Sequence, residues 1–150
     1  MTDYLVLDWM TPHPITITPQ TTLPEAHRVM KERRIRRLPI MEHGKLVGIF
    51  TFGDLRAAEP SPATSLSIWE LNYLLEKAQV KEVMTRKPIT VAPKTPIREA
   101  ANLMLLHKIS GLPVVENEKL IGIITESDIF RMLVRDLVDT KTQGNNVVMG

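Results

Sequence analysis

Apolar residues recur at helical spacing in two places: Leu23, Ala26 and Met30, and later Ile97, Ala100, Ala101, Met104 and Leu105. Each set gives a helix with one apolar face. A start signal precedes both. Thr22 followed three residues on by Glu25 is a capping-box pattern, and Thr95-Pro96 offers an N-cap with proline at the first helical position. Short β-branched runs at 15–18 and 89–92, fenced by prolines, predict short edge strands. The apolar runs 38–41 and 46–50, joined by Glu42-His43-Gly44-Lys45, predict a hairpin. A second hairpin follows from 112–115 and 120–124 across Glu116-Asn117-Glu118-Lys119. Gly44 can supply a positive φ in the first turn, and Asn117 must do so in the second. Thr51 and Thr125 then open the last helix of each series.

The two series are one pattern written twice. Residues 10–56 return at 84–130, every match displaced by 74 positions without a gap, from Met10/Met84 and Pro14/Pro88 through Leu38/Leu112 and Gly48/Gly122 to Asp54/Asp128. Each copy therefore reads strand, helix, strand, strand, helix, an α+β arrangement. The expected division is residues 1–60 for the first repeat, 61–79 for a connector, 80–137 for the second repeat and 138–150 for a mobile tail without periodicity. Within the connector, Pro60-Ser61-Pro62 marks a break, and Ser67 caps a helix with Ile68, Leu71, Leu74, Leu75 and Ala78 on one side.

Composition narrows the function classes. At 150 residues the chain is one ordinary domain, and half of it is near the lower limit for a self-sufficient core, so the copies should pack on each other. Hydrophobic residues at 43% and charged residues at 24% fit a soluble globular protein. The chain has no cysteine, no apolar run long enough to span a membrane and no signal-peptide pattern, so a cytoplasmic protein without disulfides or thiolate chemistry is expected. His13, His27, His43 and His107 lack ligand spacing, so no metal site is expected. Neither a Gly-x-Ser-x-Gly elbow nor a Walker-type loop is present, and no enzyme is expected.

The matched motif with chemical content is Gly48-Ile49-Phe50-Thr51-Phe52-Gly53-Asp54, repeated as Gly122-Ile123-Ile124-Thr125-Glu126-Ser127-Asp128. Thr and Asp three apart can simply cap a helix. A helix N-terminus also attracts phosphate, and a carboxylate can accept hydrogen bonds from both hydroxyls of a ribose. These two readings are compatible.

With these motifs, with Met10-Thr11-Pro12-His13-Pro14-Ile15 and Met84-Thr85-Arg86-Lys87-Pro88-Ile89, and with Arg36-Arg37-Leu38-Pro39-Ile40 and Ser110-Gly111-Leu112-Pro113-Val114, the chain resembles a tandem pair of cystathionine-β-synthase (CBS) domains. The resemblance implies two repeats packed through their sheets as a pseudo-two-fold module. Between them lie two clefts for an adenosine-containing ligand such as AMP, ADP, ATP or S-adenosylmethionine, held as a regulatory ligand and not as a required cofactor. It implies that Thr51 and Asp54 hold phosphate and ribose while Thr85, Ile89 and Ile109 enclose the base. The reciprocal cleft would use Thr125 and Asp128 against Thr11, Ile15 and Ile35. Arg36 and Arg37 stand where copy two has Ser110 and Gly111, so the Asp54 cleft could gain phosphate contacts. Phe52 could crowd or stack on a ligand, or pack on the partner copy.

The expected role is a sensor without catalysis, acting as a homodimer on an effector protein; the connector helix with its Trp69 and Tyr73 is either a partner surface or a cover for the module's own core. The whole chain also resembles the N-terminal part of acetoin-utilisation-type CBS proteins. It lacks the C-terminal ligand-binding domain of many of those, which counts against an acetoin role. The alternatives are a ligand-free homodimeric scaffold and a nucleic-acid-associated regulator using the basic run 31–37. The second is disfavoured by a net charge of +2 and by the absence of a helix-turn-helix or aromatic platform.

Overall fold

In the computed structural model, which describes residues 4–59 and 67–149, the chain runs through α1 (Val6–Trp9), β1 (Thr11–Pro12), α2 (Leu23–Arg33), β2 (Arg37–Glu42), β3 (Lys45–Thr51) and α3 (Phe52–Ala57). It continues with α4 (Ile68–Lys77), a 3-10 turn (Val80–Glu82), β4 (Thr85–Arg86), α5 (Ile97–His107), β5 (Gly111–Glu116), β6 (Lys119–Thr125) and α6 (Glu126–Met149). The Pro60-Ser61-Pro62 break and the side chain of Trp69 lie outside the described residues.

The copies exchange their opening segments. One compact unit, unit 1, comprises Met1–Pro12, Thr90–Glu116 and Ile121–Gly150; the other, unit 2, comprises His13–Ile89 and Asn117–Leu120. In unit 2 the antiparallel sheet is ordered β2-β3-β4, so the hairpin of copy one takes its third strand from the start of copy two. In unit 1 the order is β1-β6-β5, the same exchange in reverse.

Backbone hydrogen bonds repeat the exchange at the 74-residue displacement. The Val80 N–H donates to Thr21 O at 2.8 Å in unit 2, and the Val6 N–H donates to Thr95 O at 2.9 Å in unit 1. The core follows. Ile17, Leu23, Ala26, Met30, Leu38, Ile40, Phe50 and Val80 form one buried cluster in unit 2. Their counterparts in unit 1, Val91, Ile97, Ala100, Met104, Leu112, Val114, Ile124 and Val6, are buried as well.

Three local differences from the sequence expectation have clear causes. The runs at 15–18 and 89–92 form no ladder strand; each makes a single parallel bridge, Ile17 with Ile40 and Val91 with Val114. The short strands come earlier, at Thr11–Pro12 and Thr85–Arg86. Two residues are too few for an alternation to be read, and their partners are set by long-range contacts. Thr95 does not cap α5. Its Oγ1 accepts the Ala92 N–H at 3.1 Å, and the N-cap position falls to Pro96. Helix α6 extends to Met149, so the stretch 138–149 expected to be a tail is helical backbone.

Left-handed residues obey the repeat too. His13 and Lys87, Arg34 and Lys108, His43 and Asn117, and Gly44 and Glu118 all have positive φ. Both hairpin turns therefore place two left-handed residues at their centre, the geometry that fits two-residue loops. Glycine serves one of those four central positions. Glu118, at φ 65°, does what Gly44 does more cheaply.

Candidate functional site

Strand β3 ends at Thr51, which becomes the N-cap of α3, and Asp54 is its third helical residue. The Thr51 N–H donates to Asp54 Oδ2 at 2.9 Å, and the Asp54 N–H donates to Thr51 Oγ1 at 3.1 Å. This capping box fixes the carboxylate against the backbone, and among the described residues Oδ1 accepts no hydrogen bond. Capping thus uses only one of the two carboxylate oxygens.

Unit 2 gathers most of the residues assigned to this site. Arg37 is paired with Thr51 in the β2–β3 register, and Thr85 is paired with Ile49 in β3–β4. The Phe52 N–H donates to Arg36 O at 2.8 Å, and the Arg36 guanidinium lies over the Phe52 ring, 5.5 Å from its centroid. Phe52 also packs against the core of its own unit 2. Ile89 lies in the same unit; Ile109 lies in unit 1.

The Asp128 box in unit 1 is more heavily bonded. The Thr125 N–H and Thr125 Oγ1 donate to Asp128 Oδ2 at 2.9 and 3.1 Å, and the Asp128 N–H reaches Thr125 Oγ1 at 3.4 Å. The remaining oxygen, Oδ1, is taken by the guanidinium of Arg131. Asp128 is only 3% exposed. Thr11, paired with Ile123, shares unit 1, whereas Ile15 and Ile35 lie in unit 2.

Arg131 was missed in the sequence. Its signal was available: Asp and Arg three apart on a helix face are neighbours, and the position one repeat earlier holds Ala57.

Gly48 and Gly122 bring the exchanged strands close. A Cβ on Gly48 would lie 2.8 Å from Thr85 O, and one on Gly122 would lie 2.9 Å from Thr11 O. The Gly at this motif position is therefore required by backbone approach.

The architecture now has a family. A CBS domain model matches residues 6–61 and again residues 80–135. The chain belongs to the CBS domain family.

As a CBS pair it is 35% identical over 135 residues to a CBS domain-containing protein of Dictyostelium discoideum, covering 89% of this chain and 93% of that one. It is 38% identical over 117 residues to an inosine-5'-monophosphate dehydrogenase of Korarchaeum cryptofilum, covering 77% of this chain but only 21% of the dehydrogenase. Among solved CBS structures, the pair of protein MJ0100 in complex with 5-methylthioadenosine and S-adenosyl-L-methionine is 34% identical with a TM-score of 0.75, covering 90% of this chain and 99% of that one. A protein named for acetoin utilization (AcuB), from Vibrio cholerae, is 34% identical with a TM-score of 0.78, covering 94% and 99%. CBSX2 in complex with AMP is 32% identical with a TM-score of 0.73, covering 88% and 97%. Among the described residues, no helix of this CBS pair is long and apolar enough to cross a membrane.

Proposed function

We propose that this CBS pair is a regulatory module that binds an adenosine-containing ligand through Asp54 and has no catalysis of its own. The observation that carries the reading is Oδ1 of Asp54, which accepts no hydrogen bond among the described residues and is held in place by the Thr51 box beside Arg36 and Arg37. A ribose diol would donate to that oxygen, and the Arg36 guanidinium would receive phosphate. Thr85 and Ile89, in the same unit, would enclose the base. AMP in CBSX2 and S-adenosyl-L-methionine with 5-methylthioadenosine in the MJ0100 pair support this ligand class. Thr125 and Asp128, with Thr11 of the same unit, would form the weaker second site, because Arg131 competes for the carboxylate.

The same reading includes a homodimer. On α6, Phe130, Leu133, Val134, Leu137 and Val138 recur at three- and four-residue spacing and are all exposed, as are Leu105 and Leu106 on α5 of the same unit. A contiguous apolar face of this kind supports association of two copies. The ligand then acts by favouring one arrangement over another, which an effector protein reads. Thermal-shift measurements with AMP, ADP, ATP and S-adenosylmethionine test the sensor reading. At least one must raise the melting temperature, and a flat response to all four would favour the ligand-free scaffold.

A further inference from the structure

Beyond Met132, helix α6 presents its polar side to its own unit and its apolar side to solvent. The side that carries the buried Asp128 and the half-buried Met132 continues at three- and four-residue spacing through Arg135, Asp136 and Asp139. Phe130, Val134, Leu137 and Val138 follow the opposite side and are 57–69% exposed. A helix attached to a domain by packing alone would turn that apolar stripe inward.

The start of the chain holds the polar side in place. The Tyr4 hydroxyl donates to Asp136 Oδ1 at 2.8 Å, and the Arg135 guanidinium lies over the Trp9 ring, 5.7 Å from its centroid. The Tyr4 and Trp9 rings meet edge to face with centroids 6.2 Å apart, which joins the two contacts. The segment is itself anchored: the Ile97 N–H donates to Tyr4 O at 2.8 Å, and the Val6 and Leu7 N–H groups donate to Thr95 O and Pro93 O, each at 2.9 Å. All of these residues belong to unit 1.

The other repeat keeps the anchor and drops the aromatic pair. The Leu23 N–H donates to Ala78 O just as the Ile97 N–H donates to Tyr4 O, 74 positions apart. Ala78 and Val83 stand where Tyr4 and Trp9 would be, and Ser61 and Pro62 stand at the positions of Arg135 and Asp136. The exchange of opening segments therefore does not need the two aromatic rings. Their demand comes from α6.

We propose that Tyr4 and Trp9 form a strap that fixes α6 with its apolar face outward, and that the N-terminal segment thereby decides whether two copies associate. Drawing the strap away frees the helix beyond Met132 to fray or to roll its apolar side onto unit 1, and either change removes the association face. The association half of this inference rests on the homodimer proposed above. The strap half does not, and the test separates them.

Hydrogen exchange at residues 133–138 and light scattering are compared for wild type, Trp9→Phe and Tyr4→Phe/Trp9→Ala, each also in a Leu133→Asp background that breaks the apolar face. Tyr4 and Trp9 lie outside the buried core, so unchanged exchange in β5 and β6 reports an intact fold. Asp136→Ala, at an exposed position, repeats the test from the helix side. Loss of the strap should speed exchange at 133–138 by roughly tenfold or more in both backgrounds, whereas Trp9→Phe, which keeps a ring for Arg135, stays near wild type. The double variant should be a monomer at concentrations where wild type is paired. Unchanged exchange at 133–138 in the double variant and in Asp136→Ala overturns the strap. Faster exchange with undiminished pairing overturns its control of association. A wild-type monomer whose α6 exchanges faster on strap loss overturns the homodimer and the association half, and leaves the strap standing.

Discussion

The guanidinium of Arg131 is bonded to Oδ1 of Asp128, and the position one repeat earlier is Ala57. Two capping boxes of the same design therefore present different carboxylates. Replacing Arg131 with alanine leaves a buried Asp128 with one oxygen unpaired, yet Arg131 is 65% exposed and its ion pair is screened by water. The expected loss is about 0.5–1 kcal/mol, seen as a small fall in the urea midpoint at constant slope. The same variant should gain ligand affinity at the second site. A variant that loses stability but gains no binding at Asp128 would show that Arg131 does not compete with ligand there.

The two hairpin turns supply opposite tests of one backbone argument. Glu118 is left-handed and glycine is better suited to that conformation, so Glu118→Gly is expected to stabilise by about 1 kcal/mol. Gly44→Ala should cost about 1 kcal/mol, because a Cβ there meets nothing within 4 Å and only the φ of 76° opposes it. Chemical denaturation of both variants checks the pair. Equal effects of the same sign would contradict the assignment.

Gly48→Ala and Gly122→Ala should be at least as damaging as Gly44→Ala. Each new methyl would push on a backbone oxygen of the exchanged strand, Thr85 in one case and Thr11 in the other. Overpacking of this kind costs about 1–3 kcal/mol. Hydrogen exchange should show faster exchange at Thr85 and Arg86 in the first variant and at Thr11 in the second. Protection as strong as in wild type would mean that the strands do not need this close approach.

The apolar face of α6 sets up a prediction about association. Leu133→Asp or Leu137→Asp would place a charge in the middle of that face without touching the unit 1 core. Light scattering should report a dimer for wild type and a monomer for either variant, with little change in monomer stability. A wild-type monomer would remove the dimer from the account.

Much of this was legible in the sequence because strong local signals carried it. The helices announced themselves through Leu23, Ala26 and Met30 and their counterparts, and Thr22, Ser67 and Thr51 cap the helices that follow them. The opening strands were misplaced because Thr11–Pro12 is too short to carry a periodicity, while the β-branched run after it looks like a strand and forms one bridge. Thr95 looked like a cap because a threonine before proline offers the same hydroxyl to either a helix or a turn, and here the turn at Ala92 takes it. Among candidate site residues, Asp54 and Asp128 stood out through duplication. Arg131 escaped because a search for matches passes over a mismatch such as Ala57. The strap on α6 was hidden because Tyr4 and Asp136 lie 132 positions apart and no local pattern links them.

The central claim is that Asp54 holds an adenosine ligand and that Asp128, occupied by Arg131, is the poorer site. Isothermal titration of Asp54→Ala and Asp128→Ala with the nucleotide that most stabilises wild type tests it directly. Loss of a charge-assisted contact to the ribose in Asp54→Ala should weaken binding by about 1.5–3 kcal/mol, or roughly tenfold to a hundredfold, while Asp128→Ala leaves the tight site intact. Undiminished affinity in Asp54→Ala, or an equal loss in both variants, would contradict the account.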